Sequence, residues 1–173
     1  MSLRLVHSEP VEEARVIDPT VPRVILGDEA NIVPWVERQL GLPLGHFSNA
    51  IAIGIVIGDR PVAGVLLTNY TKHRETGLVT IEEVTAATDP RWCTRAVLHF
   101  LFHYIFCRLK VVRLQAVCDR KNMHARKINE RLKFRMEGVG RRAWDGRRDA
   151  VVFSMIPEQC PWLTDEERSA CHR

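Results

Sequence analysis

The sequence predicts an α/β (α+β) domain: a mixed, mostly antiparallel twisted sheet with a central parallel strand pair, flanked by helices. Three observations lead there. Two β-branched apolar runs, 50–57 and 62–71, flank the turn Gly58-Asp59-Arg60-Pro61, which reads as a hairpin. A third strand pattern over 78–87 stops at Thr88-Asp89-Pro90 and extends the hairpin to a meander. The period then turns helical over 95–108 and leads straight into a strand pattern at 111–118, and a strand–helix–strand unit makes its two strands parallel neighbours.

Taken in order, the elements start with a short strand candidate, Leu3–His7. A passage with Pro10, Pro19 and Pro22 follows and resists regular structure. Asp28 can cap a helix toward Leu40 carrying Ile32, Val33, Trp35, Val36 and Leu40, with Pro34 forcing a late start or a kink and Gly41 and Pro43 ending it. After the meander, Thr94 or Asp89 can cap the helix whose apolar positions are Ala96, Val97, Phe100, Leu101, Tyr104, Ile105 and Leu109. Asn122 is an N-cap for a further helix through Leu132, with Met123, Ile128 and Leu132 on one face. Segments 134–142 and 150–156 close the sheet as two strands joined by Trp144-Asp145-Gly146-Arg147-Arg148-Asp149. The tail from Pro157 carries a capped turn, Thr164-Asp165-Glu166-Glu167, and its docking is open.

Composition narrows the function classes. With 173 residues, 46% hydrophobic and 27% charged, the chain is sized for one domain over 1–173 with an ordinary core, ending in a tail at 157–173. Its longest apolar stretches fall short of the ~20 residues a membrane span needs, and no signal pattern opens the chain, so a cytoplasmic protein is expected. Five cysteines without a C-x-x-C pair read as reduced, mostly buried thiols. His99 and His103, one helical turn apart, lack the glutamate of H-E-x-x-H and read as packing rather than metal ligands. Between Arg91 and Arg148 sixteen Lys/Arg face four Asp/Glu, a clustering that favours an anionic partner, either a nucleotide-bearing cofactor or nucleic acid.

The chemical focus is the gap beyond Ala87, where one strand of the parallel pair ends and a helix begins with unpaired N–H groups and a positive dipole end, a geometry that binds phosphate. From Arg113 to Met155 the order is strand, asparagine, helix, Leu132-Lys133-Phe134-Arg135-Met136-Glu137-Gly138, Asp145-Gly146 turn and last strand. This run resembles the GNAT superfamily of N-acetyltransferases, with the resemblance covering most of 46–156. It looks closest to the branch acetylating ribosomal-protein N-termini, and the ending M-I-P-E-Q-C-P-W-L is similar to phage- or prophage-encoded members.

The resemblance implies acetyl-CoA as cosubstrate, an amine acceptor, and a monomer or homodimer. It matches the family's pyrophosphate loop Q/R-x-x-G-x-G/A to Arg91, Trp92, Cys93, Thr94, Arg95 and Ala96, with Thr94 in place of the central glycine and Arg91 and Arg95 available to pair with phosphate oxygens. It adds Val84 and Ala86 on the preceding strand, Asn122 for the pantetheine arm and Arg126 for the phosphates. Glu82 and Glu83 face opposite ways on that strand, so one of them points into the cleft as a base. The family's acid is a tyrosine where this chain has Asn129, and Lys133 replaces the glycine of "L-G-F"; His124 is a candidate proton donor. The alternative is a catalytically impaired relative that binds coenzyme A or nucleic acid, with Trp144 as the main stacking candidate.

Overall fold

The computed structural model describes residues 18–171, so the strand expected over 3–7 lies outside the described residues. The chain runs β1 (Arg23–Leu26), α1 (Glu29–Leu40), β2 (Ile51–Ile57), β3 (Arg60–Lys72), β4 (Val79–Ala87), α2 (Arg95–His103), β5 (Val111–Asp119), α3 (Met123–Arg131), β6 (Arg135–Gly140), β7 (Ala150–Met155) and α4 (Asp165–Cys171). The strands form one sheet in the order β1-β2-β3-β4-β5-β7-β6, antiparallel except for β4 and β5. No helix among the described residues is long and apolar enough to cross a membrane.

β1 is a correction to the sequence reading, which left 8–26 irregular. Arg23–Leu26 is too short to show a period, and only its pairing to β2 makes it a strand. α1 corrects a second expectation. It starts at Glu29, so Pro34 lies inside it and does not delay its start, and Asp28 at its N-cap accepts from the Asn31 side-chain amide at 2.7 Å rather than from a backbone N–H. Gly41 ends it as expected, in the left-handed conformation at φ 67°, with Leu42 N–H donating to the Glu37 carbonyl.

Two glycines set how closely α1 lies on the sheet. Gly54 and Gly64 face each other across β2 and β3, and a Cβ built on either would stand 2.6 Å from Ile32 Cδ1 or 2.5 Å from Val36 Cγ2. The helix therefore rests on backbone. Ile32, Val36, Ala52, Leu66 and Ala86 make the core of that face. On the other face α2 buries Val97, Leu98, Leu101 and Phe102 against Val65, Leu67, Ile81, Leu114 and Phe153. α2 continues into a wider turn over Tyr104–Arg108, where Leu109 N–H reaches back five residues to the Tyr104 carbonyl.

α3 shows a further difference from expectation. Met123 (52% exposed) and Ile128 (36%) look outward, while the inward stripe is the buried Asn129 with the half-buried Ala125 and Leu132. The tail docks. Trp162 Nε1 donates to the Leu132 carbonyl, Arg168 holds the Cys160 and Leu163 carbonyls, and Glu167 meets His99 Nε2 at 2.9 Å. Thr164 and Glu167 cap α4 reciprocally. Docking also pairs Cys107 with Cys171, correcting the expectation of five reduced thiols; the two lie 64 residues apart, and only the folded tail brings them together. Cys93, Cys118 and Cys160 are free.

Candidate active site

Parallel pairing of β4 with β5 runs from Val79/Val111 to Glu83/Ala116 and stops, although the strands continue to Ala87 and Asp119. Beyond that point β4 pairs only with β3, from Val84↔Leu66 to Ala87↔Ala63, and β5 only with β7, from Val117↔Val152 to Asp119↔Ala150. The facing edges of the two strand ends have no ladder partner. They form a slot through the sheet, opening toward the C-terminal ends of the parallel pair, the position where α/β sheets collect ligands.

The α2 N-terminus stands at the mouth of this slot. Asp89 caps the turn Pro90–Trp92, and the amides of Trp92, Cys93 and Thr94 donate to the carbonyls of Asp89, Pro90 and Trp92. Thr94 Oγ1 accepts from Val97 N–H at 3.2 Å, and the Thr94 carbonyl takes Leu98 N–H. Only the Arg95 and Ala96 amides of this run are left without a protein acceptor, on the first, exposed turn of the helix. Of the six loop residues singled out in the sequence, the chain thus presents two backbone donors to an anion. Trp92 is instead a core residue, and Cys93 is exposed.

Arg91 does not face the slot. Its guanidinium is held by the Asp89 carboxylate at 2.5 Å, beside a concavity of about 400 Å³ formed with Ile57, Arg60, Pro61, Val62 and Thr88 at the β2–β3 turn. Arg126 on α3 is placed differently. Its Nε is shut away from solvent without an acceptor, and its Nη1 meets only the Arg120 carbonyl and the Met123 sulfur, each at 3.4 Å. It carries its charge toward Cys118 near the end of β5. A buried guanidinium nitrogen lacking a partner among the described residues and two unbonded amides at a helix N-terminus are each of the kind that a diphosphate requires, so these residues fit a coenzyme A group. Asn122 Oδ1 accepts from Ala125 N–H at 3.0 Å, which leaves its amide nitrogen for a ligand. His124 is exposed on the first turn of α3 with no bonded partner among the described residues.

The two glutamates lie on opposite faces at the apex of the slot. Glu82 looks onto the half of the sheet that α1 leaves uncovered, where its Oε2 accepts from Asn69 Nδ2 at 3.2 Å and Gln115 Nε2 at 3.4 Å. The polar floor continues through Arg113, Glu137 and Ser154. Glu83 points the other way, under α2, where the Thr85 hydroxyl donates to it. A cavity of about 30 Å³ beside Glu83 is walled by Val65, Thr85, Trp92, Leu98, Phe102 and Phe134, among others. Burial, reinforced by the neighbouring Glu82 charge, pushes the Glu83 carboxyl up to about 7 against the Thr85 hydrogen bond.

Sequence reasoning missed Glu37. This carboxylate on α1 is fully buried, and accepts from Gly45 N–H at 3.0 Å and Phe47 N–H at 2.9 Å. Chiefly the Phe47 N–H holds it below the usual carboxylate range. It pins the loop after α1, so that Phe47 packs with Val84 and Ala86 over the slot end of β4. An acid on the polar-to-apolar boundary of a helix gives no local signal of this. Among the described residues no group of three or more His, Cys, Asp or Glu is placed to hold a metal.

This architecture, with its single split parallel pair, is the GNAT acetyltransferase fold. An acetyltransferase of the GNAT family from Streptococcus pneumoniae superposes with a TM-score of 0.59 at 12% identity, over 78% of this chain and 98% of that one. RimL, a ribosomal-protein alpha-N-acetyltransferase in complex with coenzyme A, gives 0.59 at 12% identity, covering 79% and 94%. A ribosomal-protein alanine acetyltransferase from Vibrio fischeri gives 0.55 at 15% identity, covering 83% and 96%. No protein-family model and no curated protein matches the sequence.

Proposed function

We propose that this chain is an acetyl-CoA-dependent N-acetyltransferase that moves an acetyl group to a primary amine by direct attack in a ternary complex. The observation that supports this most is the slot after Glu83 and Ala116, together with the bare amides of Arg95 and Ala96 and the buried, unpartnered Nε of Arg126. In this reading those three residues hold the diphosphate, Asn122 and the slot edge of β4 at Val84 and Ala86 hold the pantetheine arm, and acetyl-CoA supplies the activated acyl group. Arg91 would join only by exchanging Asp89 for a phosphate.

The acceptor approaches over the uncovered face. Glu82 stands there, oriented by Asn69 and Gln115, to hold the ammonium form and take its proton, while an unpaired N–H on the slot edge of β4 stabilises the oxyanion. The amine is a protein N-terminus, a lysine or a small amine; the names of the ribosomal-protein enzymes that share the fold favour the first. A second reading, a binding module for nucleic acid, rests on Trp144, 44% exposed, beside Arg141, Arg142 and Arg147 in the β6–β7 loop.

Acetyl-CoA is expected to raise the melting temperature where single-stranded nucleic acid does not, and a thiol-release assay across amines to show turnover. Glu82→Gln is expected to lower kcat by at least a hundredfold with acetyl-CoA binding retained. Stabilisation by nucleic acid alone, with no thiol released, would favour the binding module.

A further inference from the structure

We infer that Glu83 is the acid that protonates the departing thiolate. The inference rests on the transferase reading above, and its starting point is which side of the sheet each group occupies. The amides of α2 and the guanidinium of Arg126 lie on the face that α2 and α3 cover, so the cosubstrate is anchored on that side and its sulfur lies nearer to it than to the acceptor. Glu83 is on the same face, at the last residue of β4 paired to β5, where the slot begins. Glu82 is on the other face, where the amine arrives. The two carboxyls are thus divided between nucleophile and leaving group by strand alternation alone.

Two other groups that α3 and β5 bring to that face serve less well. Asn129, buried on α3 where the resemblance calls for a tyrosine, has no titratable proton. Cys118 on β5 has its thiol pushed up by burial, which makes it a poor donor. α2 offers Glu83 only apolar side chains, and β3 places Val65 against it. The charged or titratable groups that bear on Glu83 are therefore Glu82 on its own strand and Cys118 across the slot, with Arg126 behind Cys118. The cavity against Glu83, about 30 Å³, is large enough for a water that returns a proton after each cycle.

The step balances. The amine nitrogen forms the C–N bond, the C–S bond breaks with its electron pair going to sulfur, and the Glu83 O–H proton moves to that sulfur, leaving a neutral thiol and a Glu83 carboxylate. The ammonium gives its first proton through Glu82 to solvent; as the C–N bond forms, the attacking nitrogen gives a second proton to Glu82, and transfer through water from Glu82 restores the Glu83 O–H. The overall change is thioester plus ammonium to amide, thiol and one released proton, without an oxidant or metal.

The test is the ratio of kcat for Glu83→Gln to that of the wild type, measured from pH 6 to pH 9, in which ionisation of the amine cancels. An acid is lost to the wild type as pH rises, so the variant is expected to be at least tenfold slower at pH 6 and within about twofold at pH 9. A base would show the reverse trend. In the protein without acetyl-CoA, the Glu83 carboxyl carbon is expected to titrate by nuclear magnetic resonance near 7. A ratio that is independent of pH, a defect that grows with pH, or a carboxyl titrating in the ordinary range would each overturn the role while leaving the transferase reading standing. Absence of thiol release by the wild type with every amine would overturn both, and an unchanged acetyl-CoA-induced shift in melting temperature would show that the variant is folded and binds.

Discussion

The two faces of the sheet at β3 and β4 are packed on opposite principles. On the α1 side there is no slack: Gly54 and Gly64 remove the side chains that would keep the helix away, and Ile32 and Val36 stand over the bare backbone. On the α2 side there is room, a cavity and a carboxyl that the surroundings hold near neutrality. The difference teaches where this domain puts its constraints. Close packing fixes the face on which Phe47 and the loop after α1 sit, and the looser face accommodates a carboxyl whose proton affinity is raised.

Removing the charge on the loose side should have the largest effect. The Glu83 carboxyl is raised in the folded state, so the folded protein holds a proton that the unfolded chain has already released, and stability falls as pH rises from the ordinary carboxyl range through about 7. Glu83→Gln should abolish that loss. Denaturation at pH 8 is expected to show the variant more stable by roughly 3 kcal/mol, with little difference at pH 4.5. Equal stabilities at both values would show that the carboxyl is not shielded as described.

Crowding the tight side comes next. Gly64→Ala puts a methyl 2.5 Å from Val36 Cγ2 and is expected to cost about 2 kcal/mol, whereas an alanine at Gly138, with nothing within 4 Å, should cost far less. Equal losses would mean that α1 moves easily and that the contrast between faces is overstated. The smallest effect is at Lys133, which has φ 72° just after α3, where Lys133 and Phe134 N–H groups close back on the Glu130 and Asn129 carbonyls. Lys133→Gly should relieve the left-handed backbone and raise stability by about 1 kcal/mol in the same measurement. This is the physical reason a glycine suits that place in the Leu-x-Phe run.

Thr94 and Asn122 could be read as caps because each bonds an amide three residues on, at Val97 and Ala125. The β2–β3 hairpin, the stop after Ala87 and the parallel return to β5 were equally visible as changes of period and turn chemistry. The site was legible in outline, as a helix start beyond a parallel strand, but not in detail. Which amides stay free depends on the turn at Pro90–Trp92, and the turning of Arg91 toward Asp89 depends on side-chain competition. α3 misled for a related reason: its neighbours bury Asn129 and leave Met123 and Ile128 outside.

The sequence by itself determined the succession of strands and helices from α1 to β7, the caps at Thr94 and Asn122 and the turns between elements, because hydrophobic period, proline, glycine and capping side chains act within a few residues. Only the tertiary structure decided that β4 and β5 part after Glu83 and Ala116, that it is Glu83 rather than Glu82 that lies under α2, that Glu37 pins the loop over the slot, and that Cys107 meets Cys171. Each of these depends on segments far apart along the chain, and their meeting is set by which surfaces pack together.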